Sequence, residues 1–172
     1  MNKIYRNPSS GFSLIEIILY VAISAVVLLI MSQFLTQSLQ ARQKYKTVSE
    51  ISMQGNQIMQ LLAQTVRNAS AINTPAAGAT SSSLSLNVPT PALSPTVVSL
   101  TGGVLNITEG TGTGVALNNS QISVTNFTVR NLSRTGTPGI IQIQFTLSYN
   151  NPSNKNEYNY VQTFTTSAGI RR

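Results

Sequence analysis

The feature that most constrains this chain is an apolar stretch, Phe12 to Leu35, with one charged residue, Glu16. A helix needs roughly 20 mostly apolar residues to cross the hydrocarbon core of a bilayer, which is about 30 Å thick. The stretch is 24 residues long and would extend about 36 Å as a helix, so we predict a transmembrane segment. An ionised carboxylate near the centre of such a helix costs about 2.5–3.5 kcal/mol. Glu16 is therefore predicted to be functional, and its partner has to be identified.

Residues 1–11 form a short, polar, positively charged segment that ends in Gly11. Such a segment is typical of the start of a targeting sequence. The apolar stretch is longer than that of a secretory signal, and no small-x-small cleavage site follows it, so we expect it to stay in the protein as an anchor. Basic residues flank the stretch on both sides, and the positive-inside rule therefore leaves the orientation open. They are Lys3 and Arg6 before it, and Arg42, Lys44 and Lys46 after it.

The composition excludes most catalytic and metal chemistry. The chain contains no cysteine, histidine or aspartate, and its four acidic residues are Glu16, Glu50, Glu109 and Glu157. Disulfides, thiolate sites and most acid–base, nucleophilic or metal sites need residue types that are missing here. We therefore predict that the protein is not an enzyme and has neither a cofactor nor a metal site. The net charge of +7 comes from scattered basic residues, which permit weak attraction to nucleic acid without forming a dense patch.

After Leu35 the apolar residues continue at steps of three or four, as on one face of an amphipathic helix. No proline lies between Pro8 and Pro75. We predict one helix from about Phe12 to Ser70, transmembrane over 12–35 and an amphipathic stalk over 36–70. Its stripe is expected to pack on the chain's own C-terminal region. A coiled-coil dimer is the alternative, although Arg42 and Gly55 are poor seam residues. The stripe comprises Leu35, Leu39, Arg42, Tyr45, Val48, Ile51, Gly55, Ile58, Leu62, Val66 and Ala69.

Residues 71–172 are predicted to form a β-rich head. A loop rich in helix-breaking residues, 75–83, precedes short segments that alternate apolar with polar residues, the pattern of half-buried antiparallel strands. Gly102-Gly103 is a two-residue hairpin turn between two of them. The fold class is α+β, with a long helix whose second half packs on an antiparallel sheet. The predicted strands are 84–88, 97–100, 104–108, 122–129, 140–147 and 158–166.

The segment Gly11-Phe12-Ser13-Leu14-Ile15-Glu16 resembles the start of type IV pilin-like prepilins. In that family a basic leader ends in glycine, and Phe, Thr or Ser, two aliphatic residues, Glu and a transmembrane run follow. The resemblance implies that prepilin peptidase cleaves between Gly11 and Phe12 and methylates the new amine of Phe12. It also implies that Glu16 pairs with the N-terminal amine of a neighbouring subunit in a filament. The alternative is an ordinary anchor whose Glu16 lies among lipid headgroups.

The resemblance further implies partners and a location. The partners are prepilin peptidase, other pilin or pseudopilin subunits, membrane lipid and a membrane assembly platform with its ATPase. The leader would stay in the cytoplasm and the head would face outward from the inner membrane, before the subunit enters an extracellular or periplasmic filament. The segment 55–72 is similar to the stalk of J-type pseudopilins and W-type minor pilins, and the cysteine pair and helix-breaking proline of many major pilins are missing. These features favour a minor subunit near the filament tip and leave open a secretion, pilus or competence system.

The alternative function is a minor pilin whose head binds DNA, a secreted substrate or a surface. Its candidate residues are Arg130, Arg134, Arg171 and Arg172, although scattered surface charges are more often simply solvated. Phe127, Tyr158 and Tyr160 are expected to pack rather than to stack on bases. The glycine-rich segment 108–114 lacks the Gly-Lys-Ser/Thr ending of a phosphate-binding loop and is predicted to be a turn. Glu109 and Glu157 lack the Asp-rich loop of a calcium site.

Overall fold

The computed structural model of the protein describes residues 11–134 and 138–171. The chain forms two compact units, residues 1–42 and Gln43–Arg172. A single helix, α1, spans Leu14–Asn68. The predicted helix from Phe12 to Ser70 is thus confirmed to within two residues at each end. Lys3, Arg6 and the rest of the proposed leader before Gly11 lie outside the described residues, as does Arg172.

In the first unit the helix presents apolar side chains to its surroundings on all sides. It is long and apolar enough to cross a membrane. Every described residue of this unit up to Gln37 is exposed in the isolated chain, including Leu28 at 68%. A helix that is apolar all round suits a membrane interior.

In the second unit one stripe of α1 is buried against the β-strands, as the heptad-like spacing predicts. Several details of that prediction are wrong. Leu35, Leu39 and Arg42 of the predicted stripe are exposed, and Ala63, outside it, is buried. Tyr45 is 77% exposed, because it lies six residues before Ile51 and points about 120° away from it. Thr47, one turn before Ile51, is buried instead. The buried positions of the helix are Thr47, Ile51, Gly55, Ile58, Leu62, Ala63 and Val66.

The strands form two antiparallel sheets rather than the single sheet that the sequence suggested. One contains five strands in the order β1-β3-β4-β5-β6, and the other four in the order β2-β7-β8-β9. The six predicted strands are confirmed, except that the last begins at Val161 and not Tyr158. The three unpredicted strands are too short for a visible alternation. The strands are β1 Ala71–Thr74, β2 Thr80–Ser81, β3 Ser83–Asn87, β4 Thr96–Thr101, β5 Val104–Glu109, β6 Val115–Ala116, β7 Ile122–Asn131, β8 Ile140–Tyr149 and β9 Val161–Gly169.

The Gly102-Gly103 turn and Asn118 join the two sheets. Both glycines have positive φ, 59° and 81°, as a type I′ hairpin turn requires. The carbonyl of Gly103 accepts a bond of 2.9 Å from the backbone N–H of Val124 in β7. The buried amide of Asn118 accepts from Leu105 N–H at 2.8 Å and donates to the carbonyl of Ile122 at 2.6 Å. Its hydrogen bonds satisfy backbone groups that would be costly to bury unpaired.

Gly55 lets α1 approach the second sheet closely. A Cβ at this position would overlap the ring of Phe164 in β9. That ring stacks on Phe145 of β8 with centroids 5.4 Å apart. The contact fixes where β9 lies along the second half of the helix.

Candidate functional site

The segment Gly11–Ser13 is non-helical backbone immediately before α1. A Cβ at Gly11 would meet no heavy atom of the described residues within 4 Å. Crowding by described residues therefore does not require glycine here. A requirement for glycine at this point would have to come from another molecule, such as an enzyme that approaches the backbone closely.

Ser13 is the N-cap of the helix. Its hydroxyl accepts a hydrogen bond of 3.3 Å from the backbone N–H of Glu16, and its carbonyl accepts from Glu16 N–H at 3.1 Å and Ile17 N–H at 3.3 Å. This role was not predicted, although Ser13-Leu14-Ile15-Glu16 matches the capping-box pattern. The cap lies two residues after Gly11, and α1 begins at the next residue, Leu14.

Glu16 lies in the first turn of α1 and its side chain is exposed. A carboxylate is favourable there, because the N-terminal end of a helix carries a partial positive charge. Among residues 11–134 and 138–171, no cation lies within ion-pair distance of it. The partner that the sequence analysis sought for Glu16 is thus absent from the described part of its own chain.

Two basic candidates of the head, Arg130 and Arg171, lie in different segments of the described chain. Arg130 is exposed on β7, in register with Gln142 of β8. The backbone N–H of Arg171 donates to the carbonyl of Arg67 at 3.2 Å, at the end of α1. The aromatic candidates are occupied in packing: Phe127 is buried, Tyr158 stacks on Tyr149, and Tyr160 lies beneath Lys44. DNA binding by the head remains a prediction.

Lys44 fastens the segment before β9 to the helix, a contact that no sequence pattern indicated. Its Nζ donates to the carbonyls of Asn159 at 2.6 Å and Asn156 at 3.3 Å, and lies 5.7 Å from the ring centroid of Tyr160. Nearby, Glu50 accepts from the side chain of Asn119 at 3.0 Å. Burial raises the pKa of the Tyr149 phenol, with smaller contributions from the charge of Glu50 and from Tyr158. The hydrogen bonds of Lys44 and Glu50 hold this part of α1 to the segments that precede β9 and β7.

The comparisons with known proteins identify the N-terminal segment. The family described as the prokaryotic N-terminal methylation motif matches residues 6–32. This range contains Gly11, Phe12 and Glu16 and ends within the apolar stretch. No curated protein and no solved structure matches the chain.

Proposed function

We propose that this chain, which carries the N-terminal methylation motif of type IV prepilin-like proteins at residues 6–32, is a minor pilin or pseudopilin. The motif implies processing by prepilin peptidase and assembly with other pilin subunits. In the proposal, the subunit enters a type IV pilus-like or type II secretion filament and acts as an initiating or tip-proximal component. The observation that carries the proposal is the motif together with an apolar helix whose lone carboxylate has no partner among the described residues.

Gly11 and Phe12 are the proposed processing residues. The peptide bond between them lies in non-helical backbone before the Ser13 cap, which suits a protease that needs to reach the main chain. Gly11 has open space around its Cα, so nothing in the described chain obstructs an enzyme. Cleavage there releases the leader and leaves the amine of Phe12 four residues before Glu16.

Glu16 is the proposed assembly residue. In a membrane helix its charge needs a partner, and removing one member of a buried ion pair costs about 3–5 kcal/mol. Cleavage produces a new amine at Phe12 in every copy of this chain, and at the first mature residue of any other subunit that the peptidase processes. A neighbouring subunit therefore brings the missing cation, and the pair fixes the axial position of the entering subunit.

The minor role is supported by the head and the stalk. The chain has no cysteine, and the described stalk continues as helix through Gly55 without a proline kink. Both features depart from many major pilins, whereas the resemblance to J-type pseudopilins and W-type minor pilins covers segment 55–72. In the proposal the leader stays cytoplasmic, the head lies outside the inner membrane, and an ATPase-driven platform assembles the filament.

Glu16→Ala tests the proposal in cells that assemble the filament. We expect mass spectrometry of both the wild type and the variant to find a mature chain that begins at methylated Phe12. The amount of the variant in sheared filaments should fall about 100-fold or more, as the cost of an unpaired buried charge predicts. Ser24→Ala, in the same helix, is the control and should enter filaments like the wild type. An intact Met1 start in cells with active peptidase, or equal incorporation of Glu16→Ala, would contradict the proposal.

A further inference from the structure

Strand β9 has one edge that no described residue covers. It is the last strand of the sheet β2-β7-β8-β9. The carbonyl of Tyr160 hydrogen-bonds to the end of β8, and the N–H of Ile170 hydrogen-bonds to the residue just before β8. The backbone N–H and C=O groups of the even-numbered residues of β9 therefore point toward β8. In an antiparallel pair the alternate residues face the other way. The backbone groups of Val161, Thr163, Thr165, Ser167 and Gly169 therefore point to the free edge.

This edge also lacks the features that normally prevent strand addition. Proteins protect edge strands with charged residues, prolines, bulges or short length. β9 has nine residues, no charge and no proline, and its pairing with β8 has no register shift. By contrast, the opposite edge strand of this sheet, β2, has only two residues. The next outward-facing amide after β9, that of Arg171, bonds to the carbonyl of Arg67, so the open edge stops there.

An open groove of about 500 Å³ runs between α1 and this edge. Three helix amides, Asn56, Gln60 and Gln64, line it at four-residue spacing, with Met59 and Ala63 between them and the cation Arg67 one turn after Gln64. Thr165 and Thr166 lie on its strand side. An added strand would place alternate side chains in this groove. Amide and apolar groups together suit small or medium uncharged side chains.

Cations lie at both ends of the edge. Lys44 binds the segment 156–160 at the start of β9, and Lys155 adjoins that segment, with Glu157 as the acidic residue there. Arg67 and Arg171 meet at the other end. The sequence from residue 43 onward contains eight Lys and Arg against three Glu, a net charge of +5. A second copy would bring like charges to the same place, whereas an acidic partner would be attracted.

We infer that the free edge of β9 binds an extended, uncharged segment with acidic flanks from a neighbouring pilin-like subunit that is not a second copy of this chain. The segment adds a strand to the sheet by main-chain hydrogen bonds and places alternate side chains in the groove, the mode called β-augmentation. The inference rests on the proposed function, because it needs a filament in which a different subunit lies beside this head.

The test uses a photoreactive phenylalanine analogue at Thr163 in the full-length chain, with sheared filaments as the sample. We expect a crosslink to an acidic pilin-like subunit, mapped by mass spectrometry to an extended segment. Thr165→Pro removes only an outward N–H, which edge strands tolerate, and should reduce the crosslink at least tenfold. Thr165→Val keeps that N–H and should leave the crosslink unchanged.

Ser167→Glu provides a second variant that alters no backbone group, and it should weaken the crosslink by repelling acidic flanks. The protease resistance of each variant's head shows whether a weaker crosslink results from lost binding or from lost folding. A crosslink to a second copy, or one that survives both Thr165→Pro and Ser167→Glu in folded protein, overturns the inference. So does the lack of a crosslink in filaments that contain the chain. The proposed function fails separately, if the chain is not cleaved before Phe12 and never enters filaments.

Discussion

Apolar side chains are exposed throughout residues 14–42, whereas many of those in the second unit are buried. Leu28 in the first unit is 68% exposed, whereas Leu62 in the second is 0% exposed and lies in a core with the strands. Both leucines lie on the same helix, α1. The first unit thus leaves its apolar side chains exposed in the isolated chain, and the second buries many of its own within the chain. Substitutions in the first unit should consequently change processing or assembly, and substitutions in the second should change the stability of the head.

Gly11, just before α1, and Gly55, within it, illustrate the same contrast. A substitution at Gly11 should have the largest effect of those predicted. We expect Gly11→Val to reduce cleavage before Phe12 about 100-fold or more, because the branched side chain blocks a protease that contacts the backbone. The melting temperature of the head should not change, since Gly11 has no neighbour within 4 Å among the described residues. Immunoblotting for the uncleaved chain measures the first effect, and thermal unfolding in detergent the second. Normal cleavage of Gly11→Val would mean that the glycine has no processing role.

Leu62→Ala should have the next largest effect, on stability alone. Removing a fully buried leucine side chain costs about 2–5 kcal/mol in transfer and cavity terms. Leu28→Ala is the matched control in the first unit and should leave unfolding of the head unchanged, because its side chain packs against no core. Urea unfolding, followed by proteolysis of the head, gives the free energy of unfolding of both variants. Equal destabilisation by the two variants would contradict the division between the units.

Gly55→Ala should have a smaller destabilising effect, because two terms oppose each other. Alanine gains about 1 kcal/mol of helix propensity over glycine, but its Cβ would overlap the ring of Phe164. Overpacking a core costs about 1–3 kcal/mol, so we expect a net loss of about 1 kcal/mol. Phe164→Leu combined with Gly55→Ala should be less destabilised than the sum of the two single variants. A stabilised Gly55→Ala would show that Phe164 moves aside freely.

Local sequence patterns made α1 and most strands predictable. The features that were not predicted depend on contacts between residues that are distant in the sequence. The apolar run, the Gly11-to-Glu16 spacing and the alternation in β7 and β8 depend only on neighbouring residues. The junction between the two sheets includes the buried Asn118, which bonds to β5 and to the start of β7, and no short-range pattern marks it. The Lys44 contacts to Asn156 and Asn159 span more than 110 positions. The free edge of β9 likewise becomes visible only once strand order is known.

The smallest predicted effect is a pH dependence confined to the second unit. Burial raises the pKa of Tyr149, and Glu50 and Tyr158 add to the shift, so the folded state favours the neutral phenol. The stabilisation is fully present below the unfolded pKa of about 10 and is lost as pH rises through the higher folded value. Tyr149→Phe cannot ionise and should therefore lose less stability than the wild type between about pH 9 and 11. Tyr45→Phe is the matched control, because Tyr45 is 77% exposed and should retain the wild-type slope. If melting temperatures of all three proteins fall in parallel, the contacts around Glu50 and Tyr149 contribute nothing to the stability of this unit at alkaline pH.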